Sequence, residues 1–252
     1  GLSFTPSSEI KTSKKIAETD DIFENLKEKD CLNKKGGVKR LSIDCKATIK
    51  LGEFSRGGLT RGNTKANDHD MGDNGKHTPF GIVDEDTGQL YIHFGSSAKT
   101  SDFIVDSLEH WWDLLSGSER QATKLIQIKL DNGPESSGVR TQFLKRIVNF
   151  SEQIKIPIQL LYYPPYHSKY NPIERCWGIL EMHWNGAQLI DSKTMLAWAK
   201  SMTWKGRNAI IWLTETIYEK GISLSKKTMK PIEERLIRNT LLPKWDIYVK
   251  PQ

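Results

Sequence analysis

Three acidic residues stand apart from the other charged positions of this 252-residue sequence by their settings. Asp44 interrupts an alternating apolar stretch, between Ile43 and Cys45. Asp131 follows an apolar run and opens Asp131-Asn132-Gly133. Glu174 closes the run Asn171-Pro172-Ile173-Glu174. Each has an ordinary explanation by itself: a solvated strand face, a turn residue, or a carboxylate stabilising a helix start. Brought together they would do something that none does alone. Three convergent carboxylates without cations repel one another and push at least one pKa upward. Hard oxygen donors of this kind select Mg2+ or Mn2+ over zinc. Two such ions would outweigh the three negative charges and leave a positive site facing a phosphate. Held about 3.5–4 Å apart, they can activate an attacking oxygen and stabilise a leaving one in an in-line displacement.

Whether the three acids meet depends on the elements that carry them. From residue 38, Leu41, Ile43, Cys45, Ala47, Ile49 and Leu51 alternate with Ser42, Asp44, Lys46, Thr48 and Lys50, which predicts one long half-buried strand. Residues 80–83 and 90–94 read as two further strands, joined by a turn over 84–88. A helix is predicted over 100–115 from the spacing of Phe103, Ile104, Leu108, Trp111, Trp112 and Leu115, with both tryptophans on its core side. A buried strand over 125–130, a helix over 139–150 and a strand over 156–163 follow. After Pro164-Pro165, Asn171 suits a helix N-cap and Pro172 the first helical position, and Ile173, Cys176, Trp177, Leu180 and Trp184 form an apolar stripe. Residues 192–202 read as helical, and 209–213 fit either strand or helix.

The order is therefore three strands, helix, strand, helix, strand, helix. It predicts an α/β fold with a mixed five-stranded sheet flanked by helices. This is the order of the ribonuclease H-like fold, whose first strand lies beside its fourth and would bring Asp44 next to Asp131. Three segments are expected: an N-terminal arm over 1–37 with a short helix at 20–26, a catalytic domain over 38–190, and a basic extension over 191–252 packed on it. Residues 205–250 hold ten Lys/Arg against five Asp/Glu. Residues 53–77, rich in glycine, asparagine and charge, read as a long mobile loop.

The whole chain carries a formal charge of +6 with a sequence pI near 9.1, a balance that favours a polyanionic partner. Cys31, Cys45 and Cys176 form no CxxC pair, which excludes a zinc ribbon and fits small buried residues in a reducing compartment. No apolar run is long enough to span a membrane. The chain opens on Gly1 rather than Met, so a further domain is expected upstream.

The runs Leu130-Asp131-Asn132-Gly133 and Pro164-Pro165-Tyr166-His167-Ser168-Lys169-Tyr170-Asn171-Pro172-Ile173-Glu174, with Asp44 before them, resemble the DDE transposases. The Asn-Pro-Ile-Glu run is similar to the mariner-like branch. Over roughly residues 15–252 the chain more closely resembles the Rhodopirellula-type DDE transposases of bacterial insertion sequences. That likeness includes His69-Asp70, Thr78-Pro79-Phe80-Gly81-Ile82, Trp111-Trp112, Trp184-Asn185-Gly186 and the closing stretch from Trp245 to Pro251. The chain departs from that pattern with Asn132 and Pro172, where those proteins tend to have Gly and Lys. The resemblance implies a transposase that cleaves element ends and transfers strands with two Mg2+ or Mn2+ ions held by Asp44, Asp131 and Glu174. Its implied partner is double-stranded DNA, both transposon end and target, bound by a dimer or higher multimer on the nucleoid in the cytoplasm. Such proteins usually carry an upstream helix-turn-helix region, which this sequence lacks. His167, Ser168 and Lys169 before the third acid, and Arg56, Arg61 and Lys65 in the loop, are the candidate DNA contacts. Two alternatives remain open at this point: a nuclease of the same fold that only hydrolyses, and an inactive domesticated DNA-binding protein.

Overall fold

The computed structural model describes residues 15–32, 36–52 and 75–252. In chain order the helices are α1 (Thr19–Leu32), α2 (Ser101–Leu114), α3 (Gly117–Ala122), α4 (Thr141–Ile154), α5 (Pro172–His183), α6 (Ser192–Ser201) and α7 (Lys226–Glu233). The strands are β1 (Val38–Cys45), β2 (Ile49–Lys50), β3 (Lys76–Asp84), β4 (Leu90–Gly95), β5 (Leu125–Asp131), β6 (Ile158–Tyr163), β7 (Thr203–Trp204), β8 (Arg207–Asn208), β9 (Ile210–Thr214), β10 (Leu236–Arg238) and β11 (Asp246–Val249).

β1, β3, β4, β5 and β6 are the five expected strands, and they pair as the ribonuclease H-like order requires. β1 runs antiparallel to β3 and parallel to β5, and β5 runs parallel to β6. The sheet does not stop at five strands, however. Its order is β10-β11-β6-β5-β1-β3-β4-β9, with β2 on β3, nine in all among the described residues. The expectation of five fails because β9 and β11 from the C-terminal stretch add to the two edges, parallel to β4 and antiparallel to β6. Residues 209–213, which fitted two readings, fall largely within β9.

Successive strand residues face opposite sides of a sheet, and both sides are covered. On one side Leu41, Ile43, Phe80, Ile82, Ile128 and Leu130 pack in one core with Phe103, Leu108 and Trp111 of α2 and with Phe143 and Ile147 of α4. Trp112 is buried there too, so both tryptophans are core residues. On the other side Val83, Leu90, Ile92 and Phe94 meet Ile173, Cys176, Trp177 and Leu180 of α5 and Met195 and Ala199 of α6. This parity sets which face the candidate acids take. Ser42 and Asp44 on β1, and Asp131 on β5, alternate with the first core's residues and so project toward the side of α5.

Two expected boundaries move. The strand read over 38–51 breaks after Cys45, where Lys46 N–H donates to the Pro79 carbonyl and the chain resumes as β2. Asp44 is therefore at the end of its strand, as Asp131 is of β5. The short helix at 20–26 extends to Thr19–Leu32 and is packed: Ile22 and Leu26 are buried. Asp30 near its end pairs with Arg40 of β1 and Lys129 of β5.

A candidate two-metal active site

In the parallel pairing of β1 with β5, Ser42 lies opposite Lys129 and Ile43 opposite Leu130. Asp44 and Asp131 are the next residue on each strand, about one interstrand spacing of 4.8 Å apart at the backbone. Both are half-buried. Burial is the first cause of a raised pKa at each. Asp131 is pushed up to about 7, with the charges of Asp44 and Glu174 adding to the rise and Lys99 and the Asn171 side chain pulling it back. Asp44 is pushed up to about 6, against the pull of a Trp177 hydrogen bond and Lys99 and with the push of Glu174. Glu174 thus bears electrostatically on both aspartates. One oxygen of Asp131, Oδ1, is buried with no hydrogen-bond partner.

Glu174 reaches this place through a polar latch between α5 and β1. Asn171 precedes α5, but its side chain makes no capping bond to its own helix. It is buried completely, donating from Nδ2 to the Ile43 carbonyl at 3.1 Å and accepting from the Ser42 hydroxyl. The capping role passes to Ser42, whose Oγ accepts the Ile173 N–H at 3.0 Å. A helix start is thus capped from the neighbouring strand, two residues before Asp44. One turn into α5, Trp177 Nε1 donates to Asp44 Oδ2 at 3.0 Å. Near its end Glu181 pairs with Lys46 Nζ at 2.8 Å. The helix lies close enough to the sheet for this because Gly81, opposite Asp44 in register, has no side chain. A Cβ there would come within 2.5 Å of Ile173 and 2.6 Å of Trp177.

The loop before α5 holds the three nearby candidate contacts differently from one another. Ser168 and Lys169 are exposed, and Lys169 Nζ lies 5.3 Å from the centre of the Tyr170 ring. His167, expected to face DNA, is instead 4% exposed: its Nδ1 meets the Pro165 carbonyl and its ring packs edge-on against Phe23 of α1. It supports the loop from beneath. Arg56, Arg61 and Lys65, with His69 and Asp70, lie outside the described residues.

Four features escaped sequence reading: the cap from Ser42, the bridge by Asn171, the Trp177 bond to Asp44, and Lys99 in the cleft with Asp44 and Asp131. Ser42 shared the polar parity of Asp44, which was its one visible signal. Among the described residues no three His, Cys, Asp or Glu side chains are gathered closely enough to enclose a metal ion. The donor types nevertheless suit a hard divalent cation: Asp44 and Asp131 at neighbouring strand ends, Asp131 with a buried oxygen lacking a partner, and Glu174 of α5 near enough for its charge to bear on both.

The sequence profile of the Rhodopirellula transposase DDE domain matches residues 1–251. This chain belongs to that family. No curated protein matches the domain's sequence. Among solved structures, the Mos1 transposase paired-end complex with left transposon end is similar to this DDE domain at a TM-score of 0.52, with 9% identity over 79% of this chain and 58% of that one. The Mos1 strand transfer complex gives 0.47 at 11% identity, over 78% and 57%. The HTLV-2 integrase catalytic core domain in complex with magnesium gives 0.37 at 14%, over 70% and 95%. The DDE domain therefore spans under two thirds of the Mos1 transposase chain. At 9% identity the likeness to the Mos1 paired-end complex is one of fold.

Proposed function

We propose that this DDE domain cuts DNA at a transposon end and joins the freed 3′ end to target DNA, with Asp44, Asp131 and Glu174 as the ligands of two Mg2+ or Mn2+ ions. The observation that carries the proposal is the placement of Asp44 and Asp131 at the ends of adjacent parallel strands, with Glu174 latched beside them by α5. Bound there, the cations would lower the barrier to in-line attack at a phosphodiester by neutralising its developing charge. The protein's own part is positional. Trp177 holds one oxygen of Asp44, Ser42 and Asn171 fix the start of α5, and Ser168 and Lys169 stand exposed on the approach to Glu174, where they would meet phosphate.

Double-stranded DNA is the partner this reading requires, and cutting two element ends calls for a dimer or larger assembly on the nucleoid. Residues 38–190 would form the catalytic unit, with 191–252 closing the sheet edges and α1, within the 1–37 segment, bracing the loop before α5 through Phe23. The test pairs metal binding with cleavage. Millimolar Mn2+ should raise the melting temperature of the wild-type protein by several degrees through mass action. It should leave Asp131→Asn unmoved and support DNA cleavage that Asp44→Asn and Asp131→Asn each reduce by orders of magnitude. No thermal shift in Mn2+, with equal cleavage by all three proteins, would dismiss the metal-site assignment.

A further inference from the structure

Resting on the reading above, we infer that Lys99 is a phosphate-binding residue of the active site, which takes the phosphodiester at or beside the reacting one from the side of α2. Lys99 lies in the loop between β4 and α2 and lines the same cleft as Asp44, Asp131 and Gly133. The backbone that follows it is fixed. Thr100, the next residue, is buried and caps α2 through its hydroxyl, which accepts the Phe103 N–H. Ser101 donates from its hydroxyl to the Glu135 carbonyl at 2.7 Å, tying this loop to the segment that follows Asp131. The Lys99 side chain is itself exposed. Among the described residues no carboxylate lies within ion-pair distance of its ammonium, although its charge bears on both Asp44 and Asp131.

That combination separates Lys99 from the other basic residues around the sheet ends. Lys39, Arg40, Lys46 and Lys129 are each engaged by a carboxylate within 3.4 Å. An anchored lysine with no such partner among the described residues, facing two carboxylates, acts as their counter-ion when the cleft is bare. Once divalent cations occupy the carboxylates, like charge turns the ammonium away from them and toward the anion that enters with the DNA. Lys99 and Lys169 then approach the strand ends from loops that lead into α2 and α5, on the sheet's two faces.

The inference is tested with Lys99→Gln and Lys99→Arg, measuring binding of a short labelled DNA duplex in Ca2+ across a salt series, and Mn2+ binding without DNA. Lys99→Gln should weaken DNA binding roughly three- to tenfold and flatten the slope of log affinity against log salt by about 0.9, the loss of one phosphate contact. Lys99→Arg should restore both. Without DNA, Lys99→Gln should bind Mn2+ more tightly than wild type, because a competing cation is gone. Unchanged DNA affinity and salt slope in Lys99→Gln, while wild type binds DNA and Mn2+, would overturn the role of Lys99 alone. If wild type binds neither, the functional reading falls and this inference with it.

Discussion

Asp131 places a carboxylate at a strand end where burial and two neighbouring acids all disfavour its charge. Its folded pKa of about 7 lies above the ordinary 3.8, so the folded protein holds this proton more tightly than the unfolded chain does. The metal-free protein therefore loses stability from this group as pH rises from about 4 to about 7, and the loss is complete above that. Asp131→Asn removes the ionisation. Its melting temperature should match that of wild type near pH 4 and exceed it by a few degrees at pH 8, at about 2–4 °C per kcal/mol for a chain of this size. A thermal-denaturation series in chelator checks this; a constant difference across the range would contradict it. Trp177 gives a second residue-scale prediction. Trp177→Phe keeps most of the ring but removes the N–H that holds Asp44 Oδ2. By analogy with outer-shell partners of metal ligands, calorimetric Mn2+ affinity should fall about tenfold or more while the fold is retained. The settings of Asp131 and Glu174 are by themselves ordinary for a turn and for a first helical turn; the order of elements and the likeness of their runs to the DDE transposases singled them out. Lys99 was not singled out, because Ser96-Ser97-Ala98-Lys99 has neither period nor motif.

The elements position the site through a few close approaches, of which Gly81 is the most exacting. Gly81→Ala would set a methyl group within 2.5 Å of Ile173 and 2.6 Å of Trp177, side chains in the packed second core. Overpacking of this kind costs about 1–3 kcal/mol. It should also lift α5 from β1, so the melting temperature and Mn2+ affinity should fall together. A variant with wild-type values for both would show that α5 does not set the site. Ser42→Ala should weaken the same latch at a buried point, leaving the Ile173 N–H without its acceptor. The long amphipathic elements could be read from apolar spacing alone, and α2, α4 and α5 fall close to where that spacing puts them. The latch could not, since Ser42 and Asn171 are 129 residues apart and only the fold brings them together. α3 escaped for another reason: it buries none of its residues, so it leaves no apolar period. β10 and β11 are three and four residues long, too short for alternation to register.

Across the whole molecule the sheet runs past its five central strands because the C-terminal stretch returns to both edges. β11 covers β6, whose residues are all buried, and Trp245 accepts the Tyr162 N–H at its carbonyl. Removing residues 234–252 would bare that edge and the apolar faces beneath it, and open edges of this kind pair with other chains. The truncated protein should aggregate on size-exclusion chromatography; a monodisperse product with the wild-type melting temperature would show the extension to be dispensable for the fold. The net charge of +6 belongs to this scale as well, since it would make the proposed association with DNA dependent on salt without choosing a sequence. On the proposed reading, choice of chemistry falls to Asp44, Asp131 and Glu174. The most direct measurement is strand transfer from a pre-cut element end into target DNA in Mn2+, comparing wild type with Asp131→Asn. The account predicts joined products from wild type and a loss of orders of magnitude in the variant at unchanged fold. Joining by Asp131→Asn at the wild-type rate, or a wild-type protein that nicks DNA and never joins it, would contradict it.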